Sequence, residues 1–141
     1  MAKVIKCTCR VSGRKEGELL ATDQPISFWG GVDSEKGIII DPRHELFGES
    51  IVGKVLAFPY GKGSTGTPMV VLELVRAKIA PAALVQIEVD PLLVSGPIIC
   101  KHFYGETIPV VTLNHEDFRL LKTGLHAAVD GSKGKIILSG C

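Results

Sequence analysis

Net charge is almost absent from this chain: 16 Lys and Arg face 15 Asp and Glu, which leaves +1 over 141 residues. A nucleic-acid footprint needs Lys and Arg gathered on one surface. The small basic group here, Lys3, Lys6, Arg10, Arg14 and Lys15, reads as a solvated strand edge. Long apolar runs are also missing. None approaches the ~20 residues that span a bilayer as a helix, and Cys7-Thr8-Cys9-Arg10 interrupts what would be the apolar part of a leader. The expectation is a soluble, cytoplasmic protein.

Cysteine is sparse. Cys7, Cys9, Cys100 and Cys141 are the full set, with no C-x-x-C pair. Cys7 and Cys9 are two apart on an expected strand and so share a face, but no second pair stands at zinc-finger spacing. Iron–sulfur clusters are held by cysteines in a recognisable array. No metal ligand is expected from this chain alone, and the bland reading of the thiols is buried or surface packing. Familiar phosphate and nucleophile motifs are absent too. Gly61-Lys62 is followed by Gly63 and position 56 is Leu, which breaks the P-loop pattern. Gly63-Ser64-Thr65-Gly66 has the wrong spacing for a nucleophile elbow. His44-Glu45 and His115-Glu116 lack the second His of a zinc-protease helix.

What is present reads as one domain over residues 1–141, without repeat or linker. A chain of this length buries roughly two-thirds of its unfolded surface, enough to fold without staples. Lys3 to Arg10 alternates like a strand. Glu18 to Ala21, Ile26 to Trp29, Gly37 to Ile40 and Ser50 to Phe58 also read as strands, with a hairpin-like loop from Asp33 to Gly37. Pro68 to Arg76 reads as a buried helix, Ala83 to Ile87 as a strand, and Pro91 to Tyr104 as a second helix between Asp90 and Gly105. Pro109 to Leu113 follows as a strand, and Leu125 to Val129 with Lys135 to Leu138 as a hairpin. Strand–helix–strand–helix–strand implies parallel pairing with right-handed crossovers. The expected fold is mixed α/β, a three-layer β/β/α domain with a parallel βαβ half and an antiparallel half, the latter expected from the N-terminal part.

The most informative segment joins the run ending at Pro59 to the helix at Pro68. It reads Tyr60-Gly61-Lys62-Gly63-Ser64-Thr65-Gly66. Glycines at 61, 63 and 66 would permit positive φ and close approach to a ligand. Thr67 suits an N-cap and Pro68 the first helical position. Ser64 would then lie at the positive end of a helix, which favours an anion by about 0.3–2 kcal/mol. One pKa unit is about 1.4 kcal/mol, so this shifts a hydroxyl by roughly one unit and makes no alkoxide near neutrality. Ser64 needs a cation, a metal or another subunit before it can act as a base. The plain alternative is a turn serine, with Lys62 a surface lysine; the sharper reading makes Lys62 a phosphate or carboxylate contact. His44, His102, His115 and His126 are remote in sequence. Asp33, Asp41, Glu88 and Asp90 suit caps and turns as well as they suit a site. Phe28 and Trp29 read as core or interface anchors.

From Ile26 to Pro109 the sequence resembles the small, swivelling-domain subunits of the aconitase X family. The resemblance rests on Ile26-Ser27-Phe28-Trp29-Gly30-Gly31-Val32-Asp33, on Gly48 to Leu56, on Pro59-Tyr60-Gly61-Lys62-Gly63-Ser64-Thr65 and on Ala80-Pro81-Ala82-Ala83. The chain departs from the family pattern at Gly66-Thr67, where a further serine is usual, at Glu45 after His44, where proline is common, and at Gly96-Pro97-Ile98, which is often Gly-Ala-Ile. The resemblance implies a hydro-lyase whose larger subunit holds a [4Fe-4S] cluster as Lewis acid, with the small subunit presenting a serine alkoxide. Carried over, that serine is Ser64, and Gly61, Lys62, Gly63 and Thr65 are binding-loop residues. The expected substrate is (R)-5-phosphomevalonate, dehydrated to trans-anhydromevalonate 5-phosphate in isoprenoid synthesis. The alternatives are another aconitase X substrate such as a hydroxyproline, or a non-catalytic swivelling carrier.

Overall fold

A computed structural model describes residues 2–62 and 64–140 of the chain. In chain order the elements are β1 (Lys3–Lys6), β2 (Thr8–Val11), β3 (Arg14–Ala21), the short turn α1 (Phe28–Gly31), β4 (Val32–Asp33), β5 (Ile38–Ile39) and β6 (Val55–Ala57). They continue as α2 (Thr67–Arg76), β7 (Ala83–Gln86), α3 (Pro91–Tyr104), β8 (Val110–Thr112), α4 (His115–Phe118), β9 (His126–Asp130) and β10 (Lys135–Ser139).

Among the described residues eight strands form one sheet in the order β1-β10-β9-β3-β6-β7-β8-β2, and β4 pairs with β5 apart from it. The pairings β3–β6, β6–β7 and β7–β8 are parallel. Those of β1, β10, β9 and β3 are antiparallel, as is β2 against β8. The fold is therefore mixed α/β with a parallel βαβαβ half and an antiparallel half. The antiparallel half draws β9 and β10 from the C-terminus as well as β1 and β3 from the N-terminus. The two outermost strands, β1 and β2, are consecutive in the chain with only Cys7 between them. The sheet thus comes round on itself, and its two edges meet at that residue.

Period-two alternation sends side chains to two cores. Ile5, Leu19, Val55, Ala57, Val85, Val111, Val129 and Ile136 fill the inside of the ring, with Phe118 from α4 and Leu121 packed among them. Leu20, Leu56, Phe58, Leu84 and Val110 point the other way and meet α2 and α3 through Val71, Leu74, Leu93 and Cys100. Ile26, Phe28, Val32, Ile39 and Ile51 complete that second core. Leu74 is fully buried, and burying one such side chain stabilises the fold by about 1.5–3 kcal/mol.

Several boundaries differ from the sequence expectation. The alternating run 3–10 divides at Cys7, where the amide leaves the ladder to donate to Gly134 O at 2.9 Å. Residues 26–29 are not a strand: Ile26 makes one parallel bridge to Gly61 and Phe28 opens a helical turn. The strand expected over 50–58 is limited to Val55–Ala57, since Lys54 N donates to Ile51 O in a turn. α4 was not anticipated; Asn114 caps it by accepting from Asp117 N at 2.8 Å. α3 matches its signals closely. Asp90 Oδ1 accepts from Leu92 N at 3.0 Å, and Gly105 closes the helix at φ 67.

Candidate active site

The parallel strands β6, β7 and β8 end on the side where α2 and α3 begin, the side on which open α/β sheets place ligands. The chain leaves β6 at Phe58, whose amide is held by Val85 O at 3.0 Å. It then runs beside Ile26. Ile26 N donates to Tyr60 O at 3.4 Å and Lys62 N to Ile26 O at 3.0 Å, which fixes the entry to the serine loop. Gly63, assigned by sequence to the binding loop, lies outside the described residues.

Ser64 is half-buried just before α2. Its hydroxyl oxygen accepts from Gly66 N at 3.3 Å, and its carbonyl accepts from Thr67 N at 3.0 Å. An amide donating to that oxygen, at the N-terminal end of a ten-residue helix, favours negative charge on it. The Gly66 bond is long, and no basic side chain hydrogen-bonds Ser64 among the described residues. The Gly66 amide and the end of α2 polarise the Ser64 oxygen.

The cap differs from expectation. Gly66 is the N-cap, and Thr67 lies inside α2, buried, with Oγ1 lacking a hydrogen-bond partner among the described residues. Neither Gly61 nor Gly66 adopts positive φ. Their small size is used instead for close approach. A Cβ at Gly61 would lie 2.7 Å from Asp90 Oδ2, and a Cβ at Gly66 would lie 2.4 Å from the Trp29 ring. Asp90 and Trp29 therefore pack against the two ends of the serine loop. Asp90 Oδ2 is buried and has no hydrogen-bond partner among the described residues.

Sequence marked Asp90 as a cap but gave no sign that it meets Gly61, which precedes it by α2 and β7. Phe28 is buried and packs on Phe58 with ring centroids 6.1 Å apart, whereas Trp29 is 58% exposed. Asp33 is a turn residue, accepting from Glu35 N and Lys36 N. Asp41 is held below the usual carboxylate range, first by the Arg43 backbone amide, with Lys62 a weaker contributor. Lys62 and Thr65 are exposed. His102 and His115 are exposed, and His126 Nε2 faces Glu16 at 3.7 Å.

The described residues do not fit an iron–sulfur cluster. No three His, Cys, Asp or Glu among them group as metal ligands. Burial, followed by Cys9 and Asp130, pushes the Cys7 thiol up to about 11, and a ligand must be thiolate. Burial likewise pushes Cys100 up. Cys141 lies outside the described residues.

Residues 4–138 match the family described as aconitase X swivel domain. The chain belongs to this family. The match extends well beyond the segment 26–109 that carried the resemblance in sequence. The swivel domain superposes on aconitase X from Thermococcus kodakaraensis, a holo-form crystal structure, with TM-score 0.86 and 36% identity over 97% of this chain and 98% of that one. It is 42% identical over 127 residues to the phosphomevalonate dehydratase small subunit of Methanosarcina mazei, covering 89% of this chain and 84% of the relative. It is also 37% identical over 126 residues to the cis-3-hydroxy-L-proline dehydratase of Hypocrea jecorina, 89% of this chain but 21% of that longer protein. Among the described residues of the swivel domain, no helix is long and apolar enough to cross a membrane.

Proposed function

We propose that this chain is the small subunit of a hydro-lyase that dehydrates (R)-5-phosphomevalonate, with Ser64 as the base. The observation that carries the reading is the placement of Ser64: half-buried, at the start of α2, its oxygen receiving the Gly66 amide. Likeness along nearly the whole chain to small subunits of phosphomevalonate dehydratases supports the substrate.

In the proposed step the Ser64 oxygen takes the proton from the carbon next to the carboxylate. The C–H electrons become the double bond, and the tertiary hydroxyl leaves its carbon as hydroxide, giving trans-anhydromevalonate 5-phosphate. Ser64 then carries the proton, and its passage to the hydroxide gives water and restores the base. Gly61, Lys62, Gly63 and Thr65 form the loop that holds substrate, with Lys62 on a phosphate or carboxylate. The cation that lowers the Ser64 pKa comes from a large subunit. That subunit also carries the [4Fe-4S] cluster, whose chemistry is Lewis-acid polarisation of oxygen ligands. A cytoplasmic location and a single domain over 1–141 belong to the same proposal.

The test is dehydration by the complex of this chain with its large subunit. Ser64→Ala should lower kcat by about 10²-fold or more, the usual contribution of a positioned base, while the complex still assembles. Full activity in that variant would remove Ser64 from the mechanism. The hydroxyproline relative makes a second substrate worth assaying beside the first: dehydration of cis-3-hydroxyproline but not of 5-phosphomevalonate would reassign the substrate and leave Ser64 in place. Normal turnover of neither substrate, with an intact complex, would favour the carrier reading.

A further inference from the structure

Beside the serine loop lies a cluster that the proton transfer does not use. Gln24, Pro25, Asp41, Arg43, His44 and Lys62 line one open cavity of about 360 Å³. Arg43 reaches Asp41 Oδ1 through Nε alone, at 3.5 Å, and that same oxygen accepts the Arg43 backbone N–H at 3.0 Å. The two terminal amino groups of Arg43 engage no acceptor among the described residues, and its side chain is 89% exposed. Lys62 Nζ forms no salt bridge among the described residues, although Lys62 stands near enough to help keep Asp41 charged. His44 Nδ1 accepts from Leu46 N at 3.0 Å. In the neutral ring that leaves the proton on Nε2, and Nε2 is closed off without an acceptor among the described residues. Gln24 Oε1 holds the same loop by accepting from Glu45 N at 2.9 Å.

The cavity therefore has two cations, Arg43 and Lys62, against one carboxylate already engaged by Arg43. A guanidinium whose outer edge is free suits two oxygens of one phosphate, and an ammonium adds a point charge. We propose that this cavity receives the phosphate monoester of the substrate, gripped by Arg43 and Lys62, and so selects phosphorylated over unphosphorylated hydroxy acids. The proposal rests on the dehydratase reading above and adds the group that decides the substrate. Its spacing is consistent with the chain. Lys62 and Ser64 are two residues apart, a reach of at most ~7 Å. In 5-phosphomevalonate five bonds separate the carbon that loses its proton from phosphorus, roughly 6 Å end to end in an extended zigzag of ~1.5 Å bonds.

The experiment uses the complex of the ¹⁵N-labelled chain with its large subunit, titrated separately with inorganic phosphate and with 5-phosphomevalonate. Backbone amides at 41–44 and 62 should shift saturably with both. Arg43→Ala and Lys62→Ala should each weaken the phosphate titration about tenfold. Each should also raise KM for 5-phosphomevalonate by a similar factor, with a far smaller fall in kcat. Arg43→Lys should recover part of the loss, and unchanged melting would show that the variants fold. Saturable phosphate shifts at these amides without any dehydration of 5-phosphomevalonate would sink the dehydratase reading and leave the anion site standing. Absence of shifts with both ligands, together with unchanged KM in Arg43→Ala, would overturn the site.

Discussion

The two residues that frame the serine loop are glycine because of what stands opposite them, not because of their backbone angles. Gly61 faces Asp90, whose Oδ1 caps α3 and whose Oδ2 would be 2.7 Å from a Cβ at 61. Asp90 thus acts as a positioning residue: it fixes the start of α3 and limits how the loop entering Ser64 can sit. A methyl at 61 must push the loop away, since the carboxylate is buried and held by its cap. Gly61→Ala should lower kcat/KM of the complex at least tenfold, because small misplacements of a reacting group are expensive. In an Asp90→Ala background the remaining contact is to the Asp90 Cβ, at 3.5 Å, so the same substitution should cost much less. Loss of the cap itself removes about 0.5–2 kcal/mol of stability. The double-mutant cycle on kcat/KM separates the two effects. Additive losses would mean that Asp90 acts on stability alone.

At the level of elements, α2 and α3 hold the site to the sheet, and they come close together at Gly96. A Cβ there would lie 2.8 Å from Val71 Cβ, and that atom belongs to no flexible tip. Gly96→Ala should destabilise the protein by about 1–3 kcal/mol, the usual cost of overpacking, seen as a lower midpoint in chemical denaturation. An unchanged midpoint would mean that the helices slide apart freely. Pro97 follows within α3 and removes the N–H that Leu93 O would receive, so the helix already lacks one bond on this side.

These helices were legible in sequence because their signals are local: Asp90 before Pro91, Gly105 after Tyr104, Pro68 at the start of α2. The strand–helix alternation likewise gave the parallel pairings. The misread stretches depend on distant partners. Cys7 leaves its strand for Gly134, Ile26 pairs with the serine loop, and β3 is split between parallel β6 and antiparallel β9. The serine loop stood out by composition. That Asp90 and Trp29 pack against it, and that Arg43 shares a cavity with Lys62, was not legible, since only the folded chain brings them together.

For the molecule as a whole, β1 and β2, the last strands of the sheet at either end, join through Cys7. Around Ser64 the exposed large side chains are Trp29 at 58%, Tyr60 at 46% and Met69 at 60%. Trp29 lies against Gly66, so a large subunit that completes the Ser64 site must come close to this ring. Trp29 is also the chain's single tryptophan, which makes its indole N–H a clean reporter. The chain alone should fold and yet dehydrate nothing, since the Ser64 oxygen has the Gly66 amide and the α2 end beside it but no basic side chain hydrogen-bonded to it among the described residues. Adding the large subunit should restore turnover and, in the same titration, move the Trp29 indole signal. Turnover by the isolated chain would contradict the half-site. Restored turnover with an unmoved indole signal would place the partner on another face and require Ser64 to be replaced as the base.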